Sequence, residues 1–200
     1  MLTLNVSETF YSLQGEGARA GEPSFFIRLQ GCKAKHACYA SGIRCDTEFE
    51  SGSARDIEHL VALAKQSGTG WIIWTGGEPL DQLTPEILDR FRTEGFRQAV
   101  ETSGLHPLDG RRFDWVVVSP KVAEHVVAKN FPDGVDELRY VRHKGQEVPK
   151  PFVSAKVYCL SPHFNGQTID HDNLAHCIEL CKANPSWRLS VQLHKLFRIL

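Results

Sequence analysis

Two hundred residues suffice for one domain with a sizeable apolar core. A net charge of -1 provides no basic field for nucleic acid, and no run is long and apolar enough to span a bilayer. Met1 to Thr9 lacks the basic-then-apolar pattern of a signal peptide, so the chain is read as cytoplasmic, where six cysteines argue for metal or catalytic chemistry rather than disulfides.

Taken in chain order, Ser24 to Gly31 reads as a strand. Residues 54–66 carry apolar residues at helical spacing (Ile57, Leu60, Val61, Ala64), with Ser53 as the expected N-cap. Trp71-Ile72-Ile73-Trp74 is a continuous apolar run, the pattern of a strand buried on both faces. Pro85 to Arg92 reads as a helix, with Thr84 as its cap and proline at the first helical position. Further strands are expected at Phe96 to Val100, Trp115 to Val118, Leu138 to Val141 and Val157 to Leu160. Ser119 to Asn130 leaves room for a short helix, Asn173 to Ala183 is an amphipathic helix, and Trp187 to Leu193 reads as a last strand. Alternating strand and helix predicts a parallel sheet. The fold class expected is α/β: a single domain over residues 1–200, built as an incomplete β/α barrel of about six mostly parallel strands with a reduced helix complement.

In such folds chemistry collects at the carboxyl ends of strands. Those ends carry Gly31-Cys32, Thr75-Gly76-Gly77-Glu78-Pro79, Glu101-Thr102-Ser103-Gly104, Ser119-Pro120-Lys121 and Ser161-Pro162-His163. Cys32, Cys38 and Cys45 share one loop. Three thiolates hold three corners of a [4Fe–4S] cluster and leave the fourth iron open for an exogenous ligand. Taken alone, Gly76-Gly77-Glu78-Pro79 reads as a plain turn. The three cysteines also fit a zinc site completed by His36. Cys159, Cys177 and Cys181 are read as small core hydrophobes.

These residues resemble the radical S-adenosylmethionine superfamily, and more narrowly the 7-carboxy-7-deazaguanine synthases. The resemblance runs over nearly the whole chain: Phe10 to Gly17, Gly21-Glu22-Pro23, Phe26 to Cys32, Cys45-Asp46-Thr47, Thr75 to Leu80, Glu101 to Gly104, Ser119-Pro120-Lys121 and Val191 to Lys195. It implies conversion of 6-carboxy-5,6,7,8-tetrahydropterin to 7-carboxy-7-deazaguanine with loss of ammonia. It implies a [4Fe–4S] cluster, S-adenosyl-L-methionine and Mg²⁺, an electron donor such as a flavodoxin or ferredoxin, and a homodimer. The chain departs from the superfamily spacing C-x3-C-x2-C: here it is C-x5-C-x6-C, and the position three before Cys45 is Gly42. Cys38, as the other cysteine of the loop, then becomes the second cluster ligand.

The resemblance also assigns roles. Arg44, Cys45, Asp46, Gly76, Gly77, Glu78, Ser119, Pro120 and Lys121 contact S-adenosylmethionine, and the Thr47 hydroxyl ligates Mg²⁺. Leu13, Gln14, Gly15, Glu16, Thr75, Ser161, Pro162, His163, Phe164 and the terminal carboxylate of Leu200 border the pterin. Arg28 shares a strand face with Gln30 and Cys32, where an inward guanidinium needs an anion: the substrate carboxylate as a bidentate partner, or a carboxylate of the chain in a structural salt bridge. Two other functions compete. A glycyl-radical activase would share the cluster and the Gly-Gly-Glu-Pro turn, and a zinc module would use Cys32, His36, Cys38 and Cys45.

Overall fold

The computed structural model describes residues 2–40, 45 and 49–199. One continuous sheet of nine strands organises them, in the order β3-β1-β2-β4-β5-β6-β7-β8-β9. From β2 (Pro23–Leu29) through β4 (Trp71–Gly76), β5 (Arg97–Thr102), β6 (Trp115–Val118), β7 (Val135–Arg142), β8 (Ala155–Pro162) and β9 (Trp187–Leu189), every pairing is parallel. Each crossover moves one strand further in the same direction, as in a β/α barrel, but β3 and β9 remain edges and the sheet does not close. The partial barrel expected from sequence is therefore present.

Two strands at one margin were not expected. β1 (Thr3–Leu13) runs antiparallel to β2, and β3 (Ser53–Asp56) runs antiparallel to β1. Ser53 and Ala54 were read as a helix start. They pair instead with Val6 and Asn5, because a free strand edge offers backbone partners that a helix terminus lacks. The helix α2 (Ile57–Ser67) starts after them and is capped by Asp56, whose side chain accepts from the Glu58 amide at 2.7 Å. The cap of α3 (Pro85–Thr93) is Thr84, as expected. The last strand is shorter than expected, since the chain leaves the sheet after Leu189 and forms a short helix α6 (Leu193–Phe197). Among the described residues no helix is long and apolar enough to cross a membrane.

The two sheet faces differ. Phe25, Ile27, Leu29, Ile72, Trp74, Val100, Val116, Val118, Leu138 and Leu160 belong to the main core, packed against Leu60 and Ala64 of α2, Leu88 and Phe91 of α3, Val127 of α4 (Glu124–Asn130) and Cys177 of α5 (His171–Ala183). The alternate residues Phe26, Ile73 and Ala99 form only a small apolar cluster with Phe10, Trp71 and Trp115. Helices thus cover one face, and the other is left for polar chemistry.

Gln98 ties the layers together. Fully buried, it accepts from Trp74 Nε1 at 2.9 Å and donates to the Leu88 carbonyl at 2.8 Å. Gln98→Met keeps the volume and removes both bonds, leaving a buried donor and acceptor unpaired. We expect a loss of roughly 2–4 kcal/mol, read as a lower urea midpoint with an unchanged far-ultraviolet spectrum.

Candidate active site

The cysteine loop leaves the carboxyl end of β2 and is braced by the Gly76-Gly77 turn. Gly77 donates to the Leu29 carbonyl at 2.9 Å and Glu78 donates to the Gly31 carbonyl at 3.0 Å. A Cβ on Gly77 would overlap the Gly31 carbonyl and crowd Cys32, while one on Gly76, at φ +110°, would overlap the Leu29 backbone. The glycine pair is therefore required by close approach of this chain's own backbone. The next turn adds Asp81, which accepts from the Lys33 amide at 3.0 Å and contacts His106 Nε2 at 2.9 Å.

Cys32 is half-buried, Cys38 is buried on α1 (Lys35–Ala40), and Cys45 is exposed. Burial pushes the Cys32 thiol up to about 11, and the nearby Glu78 and Cys38 act in the same direction. Burial also raises Cys38; Cys45 adds to this, and the Lys121 ammonium opposes it. Lys121, from the β6 end, thus lies on the same side as Cys38. Among the described residues no three of His, Cys, Asp and Glu are gathered closely enough to enclose a single ion.

Glu78 is 1% exposed, and its acceptor capacity is filled from within the chain. One oxygen accepts from Leu80 N at 3.2 Å and Thr102 Oγ1 at 2.7 Å; the other accepts from Ser103 N at 2.9 Å and from Ser103 Oγ. Sequence reading places it against S-adenosylmethionine; in this geometry it joins the ends of β4 and β5. The Ser119-Pro120-Lys121 turn is linked to the same corner, with Ser119 N donating to Thr102 O and Lys121 N to Ser103 O.

On the open face, Arg28 and Thr75 are register neighbours. Glu8 of β1 lies 2.7 Å from Arg28 Nε, and the Phe10 ring lies 5.5 Å from its guanidinium carbon. Arg28 therefore already has an anionic partner, so its charge alone does not demand an anionic ligand. Gln14 and Glu16 also turn inward. Gln14 is buried and donates from Nε2 to Glu101 Oε1 at 2.9 Å, and Glu16 meets Arg139 Nη1 at 2.8 Å. Both backbone groups of Gln14 are paired within the chain, with Glu22 O and Gly21 N. Gly15 O accepts from Leu193 N, and a Cβ on Gly15 would strike His194. Leu13, at the end of β1, is exposed.

Ser161 and Pro162 end β8. The buried Ser161 hydroxyl has no hydrogen-bond partner among the described residues. The His163 ring stacks on His143 with centroids 4.2 Å apart, and buried Phe164 lies under the Lys195 ammonium. Arg44, Asp46, Thr47 and Leu200 lie outside the described residues. His36 is exposed on α1. Cys159 and Cys177 are buried, raised by burial to about 12 and about 11, as inert core thiols are.

Sequence reading assigned no role to Glu137 and Arg139, which are 1% and 5% exposed. Arg139 Nε and Nη2 donate to Glu137 Oε1 at 2.9 and 2.8 Å, and Nη1 lies 3.8 Å from Glu101. Burial alone would lower the arginine's pKa, but Glu16, Glu101 and Glu137 together outweigh it and keep the guanidinium charged. Burial pushes the Glu101 carboxyl up, Arg139 opposes, and Glu16 adds to the rise. Two opposite charges at i and i+2 of β7 were the available signal, since such residues share a face.

Anchored backbone, clustered thiols and a polar open face at the strand ends define an α/β enzyme of the partial-barrel class. No protein-family model matches the chain. It is 34% identical over 196 residues to the 7-carboxy-7-deazaguanine synthase of Bacteroides thetaiotaomicron, covering 97% of each chain. It is 35% identical over 216 residues to that of Burkholderia multivorans, covering 99% of this chain and 100% of the relative. Its fold is similar to the crystal structure of QueE from Escherichia coli, with a TM-score of 0.68 and 28% identity over 96% of this chain and 95% of that one. The chain belongs to the 7-carboxy-7-deazaguanine synthase family. Neither the activase nor the zinc module is favoured by these relatives.

A thiol near 11 has about a hundredfold less thiolate at pH 8 than one at its ordinary value, so Cys32 of the metal-free protein should alkylate slowly and gain about tenfold per pH unit up to that value. Gly77→Ala must displace the Gly31-Cys32 backbone. We expect a loss of roughly 1–3 kcal/mol from overpacking and faster Cys32 alkylation, measured by urea titration and by mass spectrometry of the labelled peptide. A parental alkylation rate in a stably folded variant would show that the turn does not hold this loop.

Proposed function

We propose that this protein converts 6-carboxy-5,6,7,8-tetrahydropterin to 7-carboxy-7-deazaguanine with loss of ammonia, as a radical S-adenosylmethionine enzyme. The observation that carries the reading is the start of the three-cysteine loop, Gly31 and Cys32, held by Gly76-Gly77 at the end of β2 in a chain of this family. The donor set suits a [4Fe–4S] cluster with one open iron: three cysteines in one loop, with Cys38 the other cysteine between Cys32 and Cys45. When bound, the cluster supplies one electron that cleaves S-adenosylmethionine and so provides the radical that removes hydrogen from the pterin.

The chain's own residues bind, orient and shield. Cys32, Cys38 and Cys45 hold iron, releasing their protons as they do so. Lys121, already close enough to bias Cys38, offsets the accumulated negative charge. Gly76, Gly77, Ser119 and Pro120 wall the S-adenosylmethionine site with Arg44, Cys45 and Asp46, and Glu78 holds that wall through Thr102 and Ser103. Arg28 receives the substrate carboxylate on its Nη1–Nη2 edge while Glu8 keeps the Nε edge. Thr75, Gln14, Glu16 and the segment Ser161 to Phe164 surround the pterin, and the lone Ser161 hydroxyl supports a polar ligand there, because a buried unpaired hydroxyl is costly. We assign Mg²⁺ to Thr47 with substrate oxygens, and the terminal carboxylate of Leu200 to the mouth of the site. The proposal includes a flavodoxin- or ferredoxin-like electron donor, a homodimer, and one cytoplasmic domain over residues 1–200.

Anaerobic reconstitution with iron and sulfide, followed by mass spectrometry after addition of the carboxypterin and S-adenosylmethionine, tests the function; turnover of S-adenosylmethionine with no deazaguanine product would sink it. Cys32→Ala, Cys38→Ala and Cys45→Ala should each lose the four-iron spectrum, whereas Cys159→Ala, Cys177→Ala and Cys181→Ala should keep it. A Cys38→Ala variant that reconstitutes fully would remove Cys38 from the ligand set. Thr47→Ala should keep the cluster and lose the response to Mg²⁺; a parental response would place the ion elsewhere.

A further inference from the structure

The segment Gln14 to Arg19 crosses the open face of the sheet from the β1 side to the β7 and C-terminal side, and every one of its residues is fastened. Gln14 bonds Glu101 at 2.9 Å. Gly15 O accepts from Leu193 N at 3.0 Å. Glu16 pairs with Arg139 at 2.8 Å. Gly17 N donates to the buried Ser190 Oγ at 2.8 Å, and Ala18 N donates to Glu137 Oε2 at 2.9 Å. Arg19, 6% exposed, lies with its guanidinium carbon 3.5 Å from the Trp71 ring centroid. Gly17 has φ +70°, and a Cβ there would overlap the Glu137 carboxylate, so the segment is moulded onto that side chain.

Resting on the function proposed above, we propose that Arg139, oriented by Glu137, is a positioning residue: through Glu16 and the 14–19 segment it fixes the wall against which the pterin binds. Glu137 engages two nitrogens of the guanidinium and so points the third at Glu16. The same carboxylate accepts from Ala18 N, so one acidic side chain sets both the arginine and the segment's backbone. A fork with fixed geometry makes these contacts together; a lysine ammonium in its place cannot reach both carboxylates in the same way. The arginine acts through Glu16 and needs no contact with the reacting atoms.

The test uses the full chain. In the metal-free protein, hydrogen exchange of the peptide spanning residues 14–19 should be slow in the parent and at least about tenfold faster in Arg139→Lys and Glu16→Gln, the scale of losing one charged hydrogen bond. In the reconstituted enzyme both variants should raise KM for the carboxypterin by at least about tenfold. Cluster spectrum, KM for S-adenosylmethionine and its cleavage without pterin should not change. The double variant should be no worse than Arg139→Lys alone, since both remove one interaction. If Arg139→Lys does not fold, Ser190→Ala, which frees Gly17 N, together with Glu16→Gln carries the same comparison. Free-chain exchange in the parent, or an unchanged KM in loosened variants, would overturn the inference. A raised KM with parental protection would too, because the arginine would then touch the substrate itself. A parent that makes no deazaguanine from the pterin counts against the proposed function, and the exchange comparison still reads the anchoring.

Discussion

A parallel sheet that stops short of a barrel leaves one face without a second layer, and here that face carries charge. Arg139 sits among Glu16, Glu101 and Glu137 with little water to screen them, so removing it would leave several carboxylates mutually exposed at short range. Breaking a buried pair typically costs about 3–5 kcal/mol, whereas exposed pairs such as Lys144–Asp172 contribute roughly 0–1 kcal/mol. The consequence is geometric as well as energetic. The arginine draws the segment after β1 across the open face to β7, and the C-terminal segment meets it there through Ser190, Leu193 and His194. Residues from the two ends of the chain thereby meet on the open face.

A second frame holds the other side of the same site. Gly76 and Gly77 let β4 approach the end of β2 more closely than any side chain allows, and Glu78 then reaches to the end of β5. The cysteine loop is suspended from this frame at Gly31, with Phe49 O accepting from Gly31 N at 2.8 Å where the loop returns. This accommodates a lengthened spacing, since added loop residues cost little closure entropy.

Much of this was legible beforehand, for identifiable reasons. Apolar runs such as Trp71 to Trp74 and Trp115 to Val118 announced strands because their alternate residues are buried in the main core on one face and pack in a small apolar cluster on the other, and Thr84-Pro85 announced a helix start by its cap chemistry. Strand-end polar clusters pointed to the candidate site because such folds concentrate chemistry there. β1 was missed because the alternation of Thr3 to Ser7 is short and is not continued by Glu8 to Leu13, and β3 because Ser53 to Asp56 has no strand signal of its own and pairs only where β1 offers an edge. Glu78 and Arg28 were assigned outward-looking tasks, yet their partners Thr102, Ser103 and Glu8 lie on other strands, a long-range pairing that local spacing does not encode. The role of Arg139 was hidden for the same reason: its meaning depends on a segment more than a hundred residues earlier in the chain.

The central claim is that this loop presents three thiols and leaves one metal position open at the mouth of the half-barrel. Electron–nuclear double resonance of the reduced, reconstituted protein with S-adenosylmethionine labelled in its amino nitrogen and carboxylate oxygens measures that position directly. The account predicts hyperfine coupling from both labels to a single iron, present in the parent and preserved in Cys159→Ala. A cluster without coupling to either label, or one whose fourth iron carries a ligand from the chain such as His36, would contradict it.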